Sequence, residues 1–516
     1  MANILNITGL STSTGRQRLI AVFGNDYHIY SSTTDAWTGQ SIPVTTNQSI
    51  IRSTIFLNRA FFVNGYKTIS ADTYTKGDDP KSYNGSTWRN EYVVKKLPLS
   101  LYVRAVGERI YLANCYLKAI DDVNPSMVWF SDLPQNNDLT YGFEEGTVIS
   151  GLINQKQVSV STGNNIYFKM RNIKVGDPIY FPSVSGKTRY FVSSIDSEEK
   201  LTLTENLEAT LTNEKFWVGS NFFFVSRNDG DSITGLGDNN DNLLVFKRNS
   251  LWRYNTVSLK KIKGVPGTTS QDSVVNIKDF TYYFHETGIW RTNGVTAELI
   301  SRPIQDYIEG ISSDMYSQVV AWRTGPSLET LRVYVGNVSN TDTNLTVNKC
   351  ILDFDTAIES WSPGQLNIAV TATTEFLESA TRNVYIANSN GQVYQDNKGT
   401  DDDGTAISWM MDTGFHFPLG PTVELEFEKI QIHVKNGRGL SMKYKLYGTP
   451  FSVDKQWRGD LDDVSDEITE VYFKGRVESP NIGRGIAFQI SDADGYKTPT
   501  VERIDIFYKP VTSRSL

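Results

Sequence analysis

The apolar residues of this chain fall in runs of a strand's length, separated by turn signals, and one such phrase is written twice. LLVFKRNSLWRY occupies 243–254 and TYYFHETGIWRT occupies 281–292, 38 residues further on. Each reads as an apolar strand, a four-residue turn and a second strand. Phe246 and Phe284 stand fourth in their copies; Leu251-Trp252-Arg253 and Ile289-Trp290-Arg291 stand near the ends. Looser copies are IAVFGNDYHIYS at 20–31, RAFFVNGYKTIS at 59–70 and VYIANSNGQVYQ at 384–395. A hairpin that returns at this interval belongs to a unit that cannot bury its apolar face alone and must stack on copies of itself. Four-stranded propeller blades have this period.

The expected fold is therefore all-β: a β-propeller with an inserted small β-barrel and a C-terminal antiparallel β-sandwich. Blade hairpins are expected near 20–31, 55–70, 101–118, 243–254, 281–292, 330–354 and 384–395, for six or seven blades. Residues that recur with the blade serve its packing, so Phe246, Trp252, Phe284 and Trp290 are predicted as blade-packing residues. The tryptophans are expected to point inward, and Arg253 and Arg291 outward or across to a neighbouring strand.

Two stretches break the rhythm. Residues 152–218 separate the third and fourth hairpins and carry their own pattern: VGDPIYF at 175–181, TRYFVSSID at 188–196 and KLTLTENL at 200–207. The alternation Leu201-Thr202-Leu203-Thr204 predicts a strand with one face buried. Beyond GTDDDGT at 399–405, five alternating segments (423–435, 441–448, 468–475, 484–492 and 501–509) predict the sandwich. The N-terminal residues 1–18 are polar and read as an arm, loose or laid on a neighbour. The expected divisions are 1–18 arm, 19–151 first part of the propeller, 152–218 barrel, 219–412 second part and 413–516 sandwich. A short helix is expected within SRPIQDYIEGI at 301–311, with Pro303 near its first turn.

Composition narrows the chemistry. The 516 residues include 26 Tyr, 25 Phe and 10 Trp, which suit pleated, half-buried surfaces, and 39 Gly for turns. The net charge of −8, with dispersed acids, argues against a broad DNA-binding surface, which needs clustered Lys and Arg. Cys115 and Cys350 sit in apolar stretches and read as buried free thiols. No signal-peptide pattern and no bilayer-length apolar run is found, so synthesis in the cytoplasm as a soluble chain is expected.

The four histidines, His28, His285, His416 and His433, lack metal-binding spacing. No nucleophile elbow or phosphate loop occurs, and Gly235-Leu236-Gly237 reads as a turn. Asp401-Asp402-Asp403, Asp229 with Asp231, and Asp460 with Asp462-Asp463 could offer oxygen ligands to calcium, yet read more simply as solvated loops. Ser491-Asp492-Ala493-Asp494-Gly495 does not place its acids at the offsets of a sialidase box. No catalytic residue, metal or cofactor is predicted, and the chain is not expected to be an enzyme.

At family level the chain resembles the tail-hub or nozzle proteins of short-tailed bacteriophages, also called phage stabilisation proteins. The resemblance rests on LLVFKRNSLWRY (243–254), KKIKGVPGTTSQDSVVNIKDFTYYFHETGIWRTNG (260–294), SRPIQDYI (301–308) and the alternating block 423–511. It implies a structural virion protein made in the bacterial host cytoplasm. Six copies would form a homo-oligomeric ring below the portal and adaptor, around the DNA-ejection channel, and anchor distal tail parts. DNA would pass without specific binding, and the protein would not insert in a membrane. Two other readings are a host-surface glycan-binding fibre or baseplate component, and a propeller glycosidase or lyase, which needs two carboxylates at a set separation.

Overall fold

The computed structural model describes the chain except for residues 1–2, 24, 32–33, 35, 45–50, 71–72, 119–120, 135–138, 140, 162, 165, 182–188, 228, 326, 379–380, 399–400, 403–404, 407–408, 436–439, 448–467, 473–481, 493–499 and 512–516. The regular structure is almost all β. The chain divides into two compact units, 1–397 and 398–516.

Besides the barrel and a two-stranded ribbon, Tyr66–Ser70 with Thr73–Lys76, the first unit holds seven larger antiparallel sheets, whose described strands pair in chain order. The first comprises Ile4–Ser11, Gln17–Phe23, Asp26–Ser31 and Ala36–Pro43; the second, Arg52–Phe56, Arg59–Val63, Lys81–Tyr83 and Trp88–Asn90. The third comprises Leu99–Val106, Arg109–Leu117, Asp122–Phe130 and Phe222–Phe224; the fourth, Ile233–Asn239, Asn242–Lys247, Ser250–Tyr254 and Leu259–Ile262. The fifth comprises Val275–Ile277, Phe280–His285, Gly288–Thr292 and Ala297–Leu299; the sixth, Val320–Thr324, Thr330–Asn340, Leu345–Asp355 and Ser360–Gln365. The seventh has three strands, Val370–Glu378, Thr381–Asn388 and Val393–Gln395.

Local chemistry sets the hairpins. In the second and fourth sheets the first turn has two successive residues at positive φ, Leu57-Asn58 and Asn240-Asp241. That is the twist-matching geometry of a tight hairpin, and Asn and Asp tolerate it. The turns between third and fourth strands repeat a side-chain cap. Asn84, Asn255 and Asn293 each accept, through Oδ1, backbone N–H bonds from the residues two and three positions on. Asp355 does the same in the sixth sheet. Such Asx caps replace the ladder bonds that a turn loses.

No sheet is buried alone; each shares an apolar layer with the next. Leu10, Ile20 and Val22 of the first meet Ala60 and Phe62 of the second. Phe61 and Val63 meet Leu112 and Trp129 of the third, and Tyr111 and Val128 meet Leu236 and Val245 of the fourth. Leu244 and Phe246 then meet Tyr283, Phe284 and Ile289 meet Val333 and Phe354, and Trp322 and Tyr334 meet Val384 and Ile386. The last layer joins Ala372, Phe376 and Ala387 of the seventh sheet to Ile4, Ile7 and Leu19 of the first. The first strands of successive sheets also lie side by side, that of the seventh beside that of the first.

The N-terminal residues, expected as an arm, instead supply the first strand of the first sheet. Ile4, Ile7 and Leu10 are buried, and the strand pairs with Gln17–Phe23. A register shift between Ile4 and Asn6 lets Ile4 and Ile7, three apart, share the face toward the seventh sheet, while Leu10 lies on the other face toward the second, so no simple two-residue alternation shows.

The insertion is a closed six-stranded barrel in the order Phe143–Gly151, Gln157–Val160, Lys200–Leu203, Arg189–Ser197, Pro178–Tyr180 and Leu211–Gly219. It begins at Phe143, before the expected residue 152, and leaves the third sheet between that sheet's third and fourth strands. Leu201 and Leu203 point into its core with Phe168, Phe181 and Phe216, as the alternation predicts. The expected helix at 301–311 is a 3-10 turn, Arg302–Ile304, followed by Gln305–Glu309.

The second unit begins at Lys398, earlier than the expected residue 413. Leu425–Lys435 pairs with Ile468–Tyr472 and Thr500–Pro510 in one antiparallel sheet. Gly485–Asp492 pairs with Trp409–Asp412 and Leu440–Tyr447 in another. Phe427, Ile430 and Ile432 of the former share a core with Met442, Ile486 and Phe488 of the latter.

Candidate functional site

The repeated hairpins occupy equivalent places in the fourth and fifth sheets. Phe246 lies opposite Leu251 and Phe284 opposite Ile289; Val245 lies opposite Trp252 and Tyr283 opposite Trp290. Both phenylalanines are buried. Phe246 packs forward on Tyr283 of the fifth sheet, ring centroids 5.0 Å apart, and Phe284 forward on Tyr316, 6.0 Å away.

The tryptophans sit on the opposite faces and are half-buried. Trp252 packs back toward the third sheet and Trp290 back toward the fourth. Their indole N–H groups donate to the preceding turns, at Ser250 Oγ (3.0 Å) and Thr287 Oγ1 (3.2 Å). Arg253 donates to the Gly294 carbonyl (3.3 Å) and Arg291 to Glu359 (2.7 Å), each in the next sheet's outer turn. The Trp-Arg pair thus packs on the sheet behind and ties to the sheet ahead.

The seven first strands lie side by side, and those of the first, second, third, sixth and seventh sheets, with Gln271, Asp272 and Val274 before the fifth, line a cavity of ≈ 310 Å³. Side-chain hydrogen bonds join them in cyclic order. Thr8 and Ser53 join the first sheet to the second (2.5 Å); Thr54 Oγ1 accepts from Ala105 N of the third (3.1 Å). Arg104 pairs with Asp238 of the fourth (2.7 Å), and Asn276 of the fifth donates to the other oxygen of Asp238 (2.8 Å). Ser270, leading into the fifth, donates to the Val319 carbonyl, leading into the sixth (2.7 Å). Arg323 then pairs with Glu375 of the seventh, and Thr374 Oγ1 accepts from Gly9 N of the first (3.0 Å).

One pair crosses this belt. Arg52 of the second sheet reaches Asp272 before the fifth (3.3 Å), with the guanidinium 4.8 Å from the Tyr102 ring. Buried charges need such partners, because stripping their water is costly. These links join residues up to 365 positions apart, so no local pattern announces them. The Asx caps, in contrast, carry the readable signal Asn-x-x-Ser/Thr at 84–87, 255–258 and 293–296.

Other sequence candidates are dispersed. His285 is held by Thr287 (2.8 Å), and burial keeps its pKa below the ordinary histidine value. Burial also lowers that of His28, against the opposing charge of Asp26. His433 lies 3.1 Å from Asp505. Asp229 binds the fully buried Lys247 (2.7 Å), and Asp231 caps the Arg248-Asn249 turn. Asp403 and Asp460, Asp462 and Asp463 lie outside the described residues, as do Ala493, Asp494 and Gly495. Cys115 and Cys350 are buried and free; burial raises both thiol pKa values, that of Cys350 to about 12. Among the described residues no group of three or more His, Cys, Asp or Glu is placed to hold a metal. No helix among them is long and apolar enough to cross a membrane.

At the barrel's root, Glu144 is buried, paired with Arg171 (3.3 Å) and bonded by the Tyr167 and Glu145 amides. Burial raises its pKa above the usual carboxylate value, outweighing the guanidinium that lowers it.

No protein-family model and no curated protein matches the chain. Among solved structures it is similar to the phage phi92 endosialidase, at 13% identity and a TM-score of 0.23, over 65% of this chain and 49% of that one. The chain thus spans about half of that protein's length. It is also similar to the extracellular domain of a hybrid two-component system from B. thetaiotaomicron, at 12% identity and a TM-score of 0.25, over 98% of this chain and 80% of that one.

Proposed function

We propose that residues 1–397 form a seven-bladed β-propeller carrying the barrel on one blade, that 398–516 form a β-sandwich, and that the protein is a structural component of a bacteriophage tail. In this reading six copies form a hub or nozzle ring below the portal and adaptor, in the assembled virion. Genomic DNA passes through the ring of copies, and distal tail parts attach to it.

The observation that supports this most is the belt of hydrogen bonds and ion pairs around the axis. Arginines and carboxylates that could serve chemistry at an open cleft are engaged with neighbouring sheets instead, and Arg52 with Asp272 spans the middle. That arrangement suits a stiff wheel whose work is mechanical. In this reading the DNA path lies between copies and not through a single copy's axis. Head-to-tail contacts around a closed ring leave no free ends.

The test is mass photometry of the purified chain with and without a portal–adaptor complex, alongside an assay for polysaccharide turnover. The reading predicts addition of six copies to the template and no turnover. A chain that stays monomeric on the template, or turnover lost on replacing one Asp or Glu, contradicts it.

A further inference from the structure

Six of the seven sheets have a fourth strand and the seventh does not. Its outermost strand, Val393–Gln395, pairs inward only, among the described residues. Asp396 N donates inward to the Val384 carbonyl (2.8 Å). Because alternate residues of a strand aim their N–H and C=O to the same side, Tyr394 also bonds inward, while Val393 and Gln395 aim theirs at the open edge. Unpaired edges of this kind template strand addition.

The missing strand also uncovers its neighbour. A groove of ≈ 700 Å³ runs between the first and seventh sheets, over Thr38 and Gln40 of the outer strand of the first and Tyr385 of the seventh. Tyr385 lies opposite Gln395, so the groove's lining reaches the strand next to the edge strand. Arg16 and Arg18 line it as well. Arg52, Arg104, Arg171, Arg291, Arg323 and Arg332 all pair with carboxylates. Arg16 and Arg18 form no ion pair among the described residues, and the side-chain bond of Arg18 goes only to the Gln17 carbonyl (2.9 Å). The groove's carboxylate, Glu378, is occupied by Tyr385 Oη (2.9 Å) and Asn383 Nδ2 (3.2 Å).

We propose that this seam is a docking site for an extended segment of a partner protein, which adds as the fourth strand of the seventh sheet. Its backbone pairs with Val393 and Gln395. Side chains at every second position turn toward the first sheet, where Asp or Glu meets Arg18 and Arg16. The added strand gives affinity through main-chain bonds, and the arginines give register. The inference needs only the sheets described above and stands whether or not the protein belongs to a phage tail.

The experiment is a selection of displayed ten-residue peptides on the full-length chain, followed by fluorescence anisotropy with the enriched peptide. Enriched peptides are expected to carry Asp or Glu at alternate positions. Arg18→Ala, and separately Gln395→Pro, should each weaken binding about tenfold without lowering the melting temperature; proline there removes an outward N–H and leaves the inward bonds in place. Methylating alternate backbone nitrogens of the peptide should weaken binding equally, a readout that does not depend on how the protein variant folds. No enrichment, or binding indifferent to backbone methylation, overturns the proposal. Loss with Arg18→Ala but not with methylation also overturns it, in favour of a simple anion site for a free acid or an acidic glycan.

Discussion

The junction between the fourth and fifth sheets and the junction between the seventh and first solve one packing problem with different chemistry. The former is filled by large rings: Phe246 against Tyr283, with Leu244, Leu251 and Ile262 around them. The latter sets small groups, Ala21, Ala372 and Ala387, among Ile4, Ile7, Leu19 and Phe376, and at Gly9 its backbones come close together. A Cβ placed on Gly9 would lie 2.7 Å from Phe376 Cβ and 2.8 Å from the Glu375 carbonyl oxygen. Hydroxyls bridge this seam, Thr374 to Gly9 (3.0 Å) and Thr371 to the Ile4 carbonyl (2.8 Å). The first junction is local in sequence and rests on buried apolar area. The second joins the two ends of the unit and adds close approach and polar bonds to its apolar layer.

Substitutions separate the two. Phe246→Ala empties a fully buried site and should cost about 3–5 kcal/mol in chemical denaturation, with Phe284→Ala similar. Trp252→Ala and Trp290→Ala remove half-buried rings and should cost less, about 1–3 kcal/mol. A loss for either tryptophan as large as that for Phe246 would contradict its half-buried place. Gly9→Ala should cost about 1–3 kcal/mol by overpacking. Its mark is regional: amide exchange should quicken in 4–11 and 370–378 before it does in 243–254. Uniform quickening would mean that the seam is no different from the other junctions.

The smallest expected effect lies at the barrel root. The folded-state pKa of Glu144 is raised, whereas an unfolded glutamate titrates near about 4.3. Between those values the folded chain binds more protons, so its stability should fall as pH rises through that window. Thermal melts across mildly acidic to neutral pH should show this slope, and Glu144→Gln should flatten it. An unchanged slope in the variant assigns the effect elsewhere.

What could be read from the sequence follows the same division. The paired phrases at 243–254 and 281–292 were legible as two equivalent hairpins, because each closes within a dozen residues, with their phenylalanines as packing residues and their arginines left outward or bridging. The alternation around Leu201 and Leu203 gave the barrel. The first strand was misread because its bulge sets Ile4 and Ile7 three apart on one face and Leu10 packs on the other, so the strand is buried on both sides without a clean alternation. The barrel's entry was placed late because Glu144 and Glu145, both buried, look like surface residues. The axial pairs Arg52–Asp272, Arg104–Asp238 and Arg323–Glu375 leave no trace in spacing, since the stacking of whole sheets brings them together. The half-burial of Trp252 and Trp290 also depends on the neighbouring sheet and not on their own hairpins.

The closure of the seven sheets by the chain's own N-terminal strand is tested most directly by deleting residues 1–16 and recording the calorimetric melt. Loss of the ring's cooperative transition, with the barrel and second unit still melting, is the predicted result. A trace superimposable on that of the intact chain would show that these residues are a dispensable arm and that the ring does not depend on them.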